Sequence, residues 1–94
     1  MSFGRGSGNV FRDLGFSLDE AENLKLRSEL MMRIEDPYRE SGMTQVKAAK
    51  RLGVTQPRLN ALPKGKIGEF SLDALVNIAT NAGMRVELRV RKAA

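Results

Sequence analysis

The chain has 94 residues, enough for one hydrophobic core and too few for two, so a single domain is expected. It contains neither cysteine nor histidine, which removes disulfides, thiolate and imidazole metal ligands, cysteine nucleophiles and any histidine base; no metal and no cofactor is expected. The formal charge of +5 is uneven: residues 1–40 hold 6 Lys/Arg against 8 Asp/Glu, residues 41–94 hold 10 against 3, and no acid lies between Glu40 and Glu69.

Residues 1–8, "MSFGRGSG", have three glycines and little to bury, so ordering them would cost backbone entropy without return. A disordered tail is expected. Residues 9–16, "NVFRDLGF", place Val10, Phe11, Leu14 and Phe16 in a segment too short for a core of its own. They must pack on the rest of the chain or on a partner. Helical patterning starts near Ser17 or Asp19, where Asp19, Glu20 and Glu22 suit the positive end of a helix dipole. Leu24, Leu30, Met31 and Ile34 continue it at helical spacing. Proline disfavours helix at the residue before it, so this helix is expected to end or kink at Asp36–Pro37, with one more turn before a left-handed cap at Gly42.

Thr44 is suited to cap a helix running to about Leu52, which Gly53 can end with positive φ. Thr55 can cap a second short helix with Pro57 in its first turn, stopped by "PKGK" at 63–66. Ser71 caps a last helix in which Leu72, Leu75, Val76, Ala79 and Ala82 fall on one side, ended by Gly83. The period then changes. Met84, Val86, Leu88 and Val90 alternate with Arg85, Glu87, Arg89 and Arg91, the two-residue repeat of a half-buried strand over 84–91. A lone strand needs a partner edge. Either "NVF" supplies it within the chain, or a second copy of the strand supplies it across a two-fold axis; the second is preferred.

Two helices that cross steeply after a short turn need small residues at the crossing, a residue tolerant of positive φ in the turn, and apolar groups beneath it. Ala48 and Ala49, Gly53, and Leu52, Val54, Leu59 and Leu62 meet these needs in turn. Residues 44–62 thereby resemble the helix-turn-helix of the lambda-repressor-like XRE family, matching Gln45, Ala49, Leu52, Gly53, Val54, Gln56, Leu59 and Leu62 in order. The likeness extends over 9–91, through "FSLDALVNIA" and the terminal strand, to small regulators related to HigA-type antitoxins. Pro37, Asn60 and Pro63 depart from the pattern.

The resemblance implies a mainly α, lambda-repressor-like bundle over 9–83, with the 84–91 strand forming an intersubunit antiparallel sheet. The dimer interface would be Met84, Val86, Leu88 and Val90. The major groove admits one helix, whose side chains reach base edges. Gln56 can pair with adenine, Arg58 with guanine, and Asn60 with adenine or a phosphate. Thr44, Gln45, Thr55, Lys47, Arg51, Lys64 and Lys66 are expected on the DNA backbone, with Gln45 also against Gln56. The expected function is a sequence-specific repressor, bound to a double-stranded operator as a homodimer, and the antitoxin of a small toxin protein. Alternatives are a free-standing repressor without a toxin and a dimeric interaction module that binds no DNA. An enzyme is not expected, since Glu20, Glu35 and Asp36 look like helix-surface charges and "GRGSG" lacks the flanking strand and helix of a phosphate loop. No apolar run approaches the roughly 20 residues of a membrane span, and no basic stretch followed by an apolar core opens the chain, so a cytoplasmic protein is expected.

Overall fold

Asn9 opens the described part of the chain, residues 9–92 of a computed structural model; the tail at 1–8, expected to be disordered, lies outside it. The Asn9 carboxamide oxygen accepts from the backbone N–H of Phe11 (3.0 Å) and Arg12 (3.3 Å), which caps α1 (Val10–Asp13). This one-turn helix packs on the chain's own α2 (Leu18–Ser41). Phe11 meets Phe16 edge-on at 6.3 Å and shares a cleft with Met31, Met32, Leu62 and Ile67. Segment 9–16 therefore packs within its own chain, although Val10 and Leu14 stay exposed.

The start of α2 falls at Ser17–Leu18, within the expected region. Ser17 holds the cap position but its hydroxyl donates to Asp19 (2.7 Å), whose same oxygen accepts from the N–H of Glu20 (3.0 Å). These bonds, the one from Ser17 first, hold the Asp19 carboxyl below its ordinary range. The helix does not end at Pro37: α2 continues through it to Ser41, and the expected left-handed cap stands at Gly42 with φ 70°. Proline removes the donor to the carbonyl four residues earlier, that of Arg33. Arg33 and Pro37 are both exposed, so that carbonyl lies on the solvent side, while Ile34 before and Tyr38 after are anchored in the core. Packing on both sides outweighs the local preference at Asp36.

Three more helices follow: α3 (Gln45–Leu52), α4 (Gln56–Ala61) and α5 (Leu72–Asn81), with a 3-10 turn at Ile67–Glu69 that the sequence reading did not contain. Thr44, Thr55 and Ser71 cap them as expected, their hydroxyl oxygens accepting from the N–H of Lys47, Arg58 and Ala74 at 3.3, 3.3 and 3.1 Å. Met31 and Ile34 from α2, Ala48, Ala49 and Leu52 from α3, Leu59, Ala61 and Leu62 around α4, Phe70, and Leu75, Ile78 and Ala79 from α5 form one core. Ala48 and Ala49 are 1% and 5% exposed, which confirms that small residues occupy the inner side of α3.

The turn between α3 and α4 hinges on Gly53, at φ 72°. Its N–H and that of Val54 close the end of α3 onto the carbonyls of Lys50 (3.3 Å) and Ala49 (3.0 Å). The side-chain amide of Asn81, at the end of α5, donates to the carbonyl of Leu52 (3.0 Å). A Cβ at residue 53 would stand 2.8 Å from that amide nitrogen. Glycine is needed twice here, for backbone conformation and for space.

Within the single chain the terminal strand does not form. Among the described residues there is no strand, and residues 84–92 run without regular structure. A ladder needs a second edge. The intrachain candidate, "NVF", is committed to the cap and first turn of α1. Met84 alone of the alternating apolar residues packs against the core, whereas Val86, Leu88 and Val90 are exposed.

Ala49→Leu is expected to lower stability by about 1–3 kcal/mol through overpacking where α3 meets the core, read as a lower midpoint in denaturant. Gly53→Ala is expected to cost about 1–2 kcal/mol from the left-handed backbone alone, with a further penalty from displacing Asn81. That further part should shrink when Gly53→Ala is made on an Asn81→Ala background, and a cycle showing strictly additive losses would remove the steric role given to Asn81.

Candidate nucleic-acid interface

On α4 the side chains divide by helical spacing. Gln56 and Asn60 are four residues apart and share one side, while Leu59, Ala61 and Leu62 turn into the core. Gln56 is exposed and Asn60 half-buried. Thr55 and Pro57, at the same end of the helix, are exposed as well. The first turn of α4 thus presents polar groups outward while its opposite side holds it to the protein.

Arg58 takes neither course. It is half-buried, and its guanidinium carbon lies 4.9 Å from the centre of the Phe70 ring. Phe70 is itself 1% exposed, so one face of a core aromatic serves as a shelf for the charged group. Sequence reasoning placed Arg58 at the interface but missed this support, because residues 58 and 70 belong to different elements and no periodicity links them. Phe70 is held in turn from α2. The Arg27 guanidinium donates to the carbonyls of Ile67 (3.3 Å) and Phe70 (3.2 Å), tying the long helix to the 3-10 turn. Hydrogen bonds from charged donors contribute roughly 1.5–3 kcal/mol. Nothing in the spacing of Arg27 distinguishes it from a surface arginine.

Around this helix the expected backbone-contact residues all reach solvent: Thr44, Gln45 and Lys47 at the start of α3, Arg51 near its end, and Lys64 and Lys66 after α4. Lys50 is exposed too. The ammonium of Lys66 stands 3.9 Å from the Glu69 carboxylate, both side chains 54% exposed, an arrangement worth little in water. The Met84, Val86, Leu88 and Val90 set lies outside this surface, on the segment that leaves α5.

The arrangement offers a short helix with amide side chains outward, an adjacent helix start with a capped, outward-facing first turn, and exposed cations on both flanks. It suits a polyanion whose backbone can be held electrostatically and whose edges carry hydrogen-bonding groups.

No curated protein matches the chain closely enough to be counted as a relative. A family model described as a helix-turn-helix domain matches residues 10–91, from the first residue of α1 to the end of the alternating segment. Covering nearly all of the described residues, that match and the α3–Gly53–α4 geometry place the chain in the helix-turn-helix domain family, a fold that points to a DNA-binding regulator.

Proposed function

We propose that the chain is a sequence-specific repressor that binds a double-stranded operator as a homodimer, in the manner of the XRE-type regulators it resembles. The observation that carries this reading is the outward side of α4. Gln56 and Asn60 stand there on a helix anchored by Leu59 and Leu62, within an acid-free run from 41 to 68 whose lysines are exposed. Gln56 and Asn60 would read base edges, and Arg58 would reach a guanine from its shelf on Phe70. Thr44, Gln45, Lys47, Arg51, Thr55, Lys64 and Lys66 would hold phosphates and set the register. In this reading the chain is a binding protein and not an enzyme. Among the described residues no helix is long and apolar enough to cross a membrane; a cytoplasmic site of action belongs to this reading.

One α4 reads about half a site, so two copies are needed with their reading helices roughly 34 Å apart. The alternating segment 84–91 is the part of the chain suited to join them. Its ladder groups have no partner strand among the described residues, and pairing it with its twin would bury Val86, Leu88 and Val90. The antitoxin role rests on the likeness to HigA-type regulators and on the N-terminal surface. Val10, Leu14 and Leu18 are exposed there beside Asp13, Asp19 and Glu22, a mixed apolar and acidic face fitted to a small basic protein. Selection of bound genomic fragments, with and without the product of the neighbouring gene, tests both parts. Failure to retain any fragment at low salt would leave a protein-interaction module as the reading.

Arg58→Ala is expected to relax base preference at one operator position by about 1–3 kcal/mol and to lower the melting temperature, since it also removes the stack on Phe70. Lys64→Ala should weaken binding evenly across sequences and reduce the slope of log affinity against log salt by about one. Indistinguishable profiles from the two variants would show that readout is misassigned. Val86→Lys combined with Leu88→Lys adds two positive charges, yet should yield a monomer by sedimentation, with operator affinity reduced at moderate salt.

A further inference from the structure

Beyond Gly83 the chain leaves its own core with apolar side chains unaccommodated: Val86 is 41% exposed, Leu88 86% and Val90 83%. Beside the point of departure lies an open cleft of about 250 Å³. Ile34, Pro37, Tyr38, Met43 and Ala82 give it apolar walls, and Arg51 lines it as well. The continuation of α2 through Pro37 creates this cleft, since a helix ending at Asp36 would not carry Pro37, Tyr38 and Ser41 to its rim.

The two features are complementary in charge. Residues 84–92 carry Arg85, Arg89, Arg91 and Lys92 against Glu87, a net +3. The last turns of α2 carry Glu35, Asp36 and Glu40 against Arg39, a net −2. Arg39 is already engaged, paired with Glu35 and 4.0 Å from Asp36, while Asp36 and Glu40 adjoin in sequence Pro37 and Ser41, which line the cleft.

We propose that this cleft receives the apolar edge of the tail, residues 84–92, of a second copy of the chain, exchanged reciprocally across the dimer axis. The proposal rests on the homodimer reading and adds the floor on which the paired tails lie. The chain's own tail leaves the cleft open, as the exposure of Leu88 and Val90 shows. Ala82, which borders the cleft, is two residues before the tail begins, so chains that trade tails bring both clefts close to the two-fold axis, where one set of residues is used twice. Ala48, Arg51 and Leu52 of α3 line the same cleft. Tail docking therefore braces the helix that carries Gln45 and Lys47, and couples dimerisation to the interface.

The absence of cysteine makes a direct test available. Ser41, on the cleft rim, is exposed and is replaced nearly isosterically by Ser41→Cys in one chain. A second chain, distinguished in mass by an affinity tag, carries Val86→Cys, Leu88→Cys or Val90→Cys singly. A disulfide requires Cα atoms within about 7 Å. Under mild oxidation a mixed-mass covalent dimer should form between the Ser41→Cys chain and at least one tail variant, and should be lost when the Ser41→Cys chain also carries Asp36→Lys and Glu40→Lys. Cross-links only between tails would overturn the cleft assignment and leave the homodimer standing. Intramolecular closure in a chain carrying both Ser41→Cys and Leu88→Cys, without a dimer band, would assign the cleft to the chain's own tail. A monomer with no cross-link of any kind would overturn both the cleft assignment and the homodimer on which it rests.

Discussion

The left-handed backbone at Gly53 turns the chain between α3 and α4, and the Asn81 amide fixes that turn against α5 by bonding the Leu52 carbonyl. Whatever α4 presents to a ligand is presented at the angle this turn sets. A side chain at residue 53 would meet an unfavourable φ and would press on the nitrogen that holds the turn. Ala48 and Ala49 both face inward on α3, and Ala48 also lines the cleft beside α2.

Behind α4 the support is indirect. Leu59 and Leu62 anchor the helix in the core, and Phe70 receives Arg58 from one side while α2 grips the 3-10 turn through Arg27. The long helix therefore bears on the reading surface without touching it. A cation stacked on an aromatic ring loses less freedom on meeting a ligand than one extended into water, so the shelf favours orientation over reach. The lysines around it have no such shelf. They fit the less exacting task of neutralising a phosphate, which tolerates a mobile ammonium.

At the opposite end the molecule ends in a segment whose chemistry asks for a partner. An alternating apolar and basic sequence has nothing to alternate against in a single chain, and the only other short apolar stretch is spent on α1. The uneven charge of the sequence acquires a second sense here. The basic run from Lys47 to Lys66 suits a polyanion, while Asp36 and Glu40 adjoin in sequence Pro37 and Ser41 of the cleft near which a basic tail departs.

Much of this was written locally. Thr44, Thr55 and Ser71 cap helices because a hydroxyl placed before an amphipathic run satisfies an otherwise unpaired N–H, and Gly42 and Gly53 end helices because they alone accept positive φ cheaply. Such signals lie within four residues of what they control, and from them the three helices α3 to α5 and the outward side of α4 were legible. The end weighed at Pro37 does not occur, for a complementary reason. Its local preference is real, but the burial of Ile34 and the packing of Tyr38 are supplied by residues elsewhere in the chain. The strand is not formed within one chain, because a two-residue period states which side chains could share a face, not whether a second edge exists to pair with. Arg27 on Phe70's carbonyl, Arg58 on its ring and Asn81 on Leu52 join residues 43, 12 and 29 apart, and only the tertiary structure could bring them together. Local chemistry determined where each helix begins and ends, and long-range packing decided how those helices are aimed, because orientation depends on contacts that no window of sequence contains.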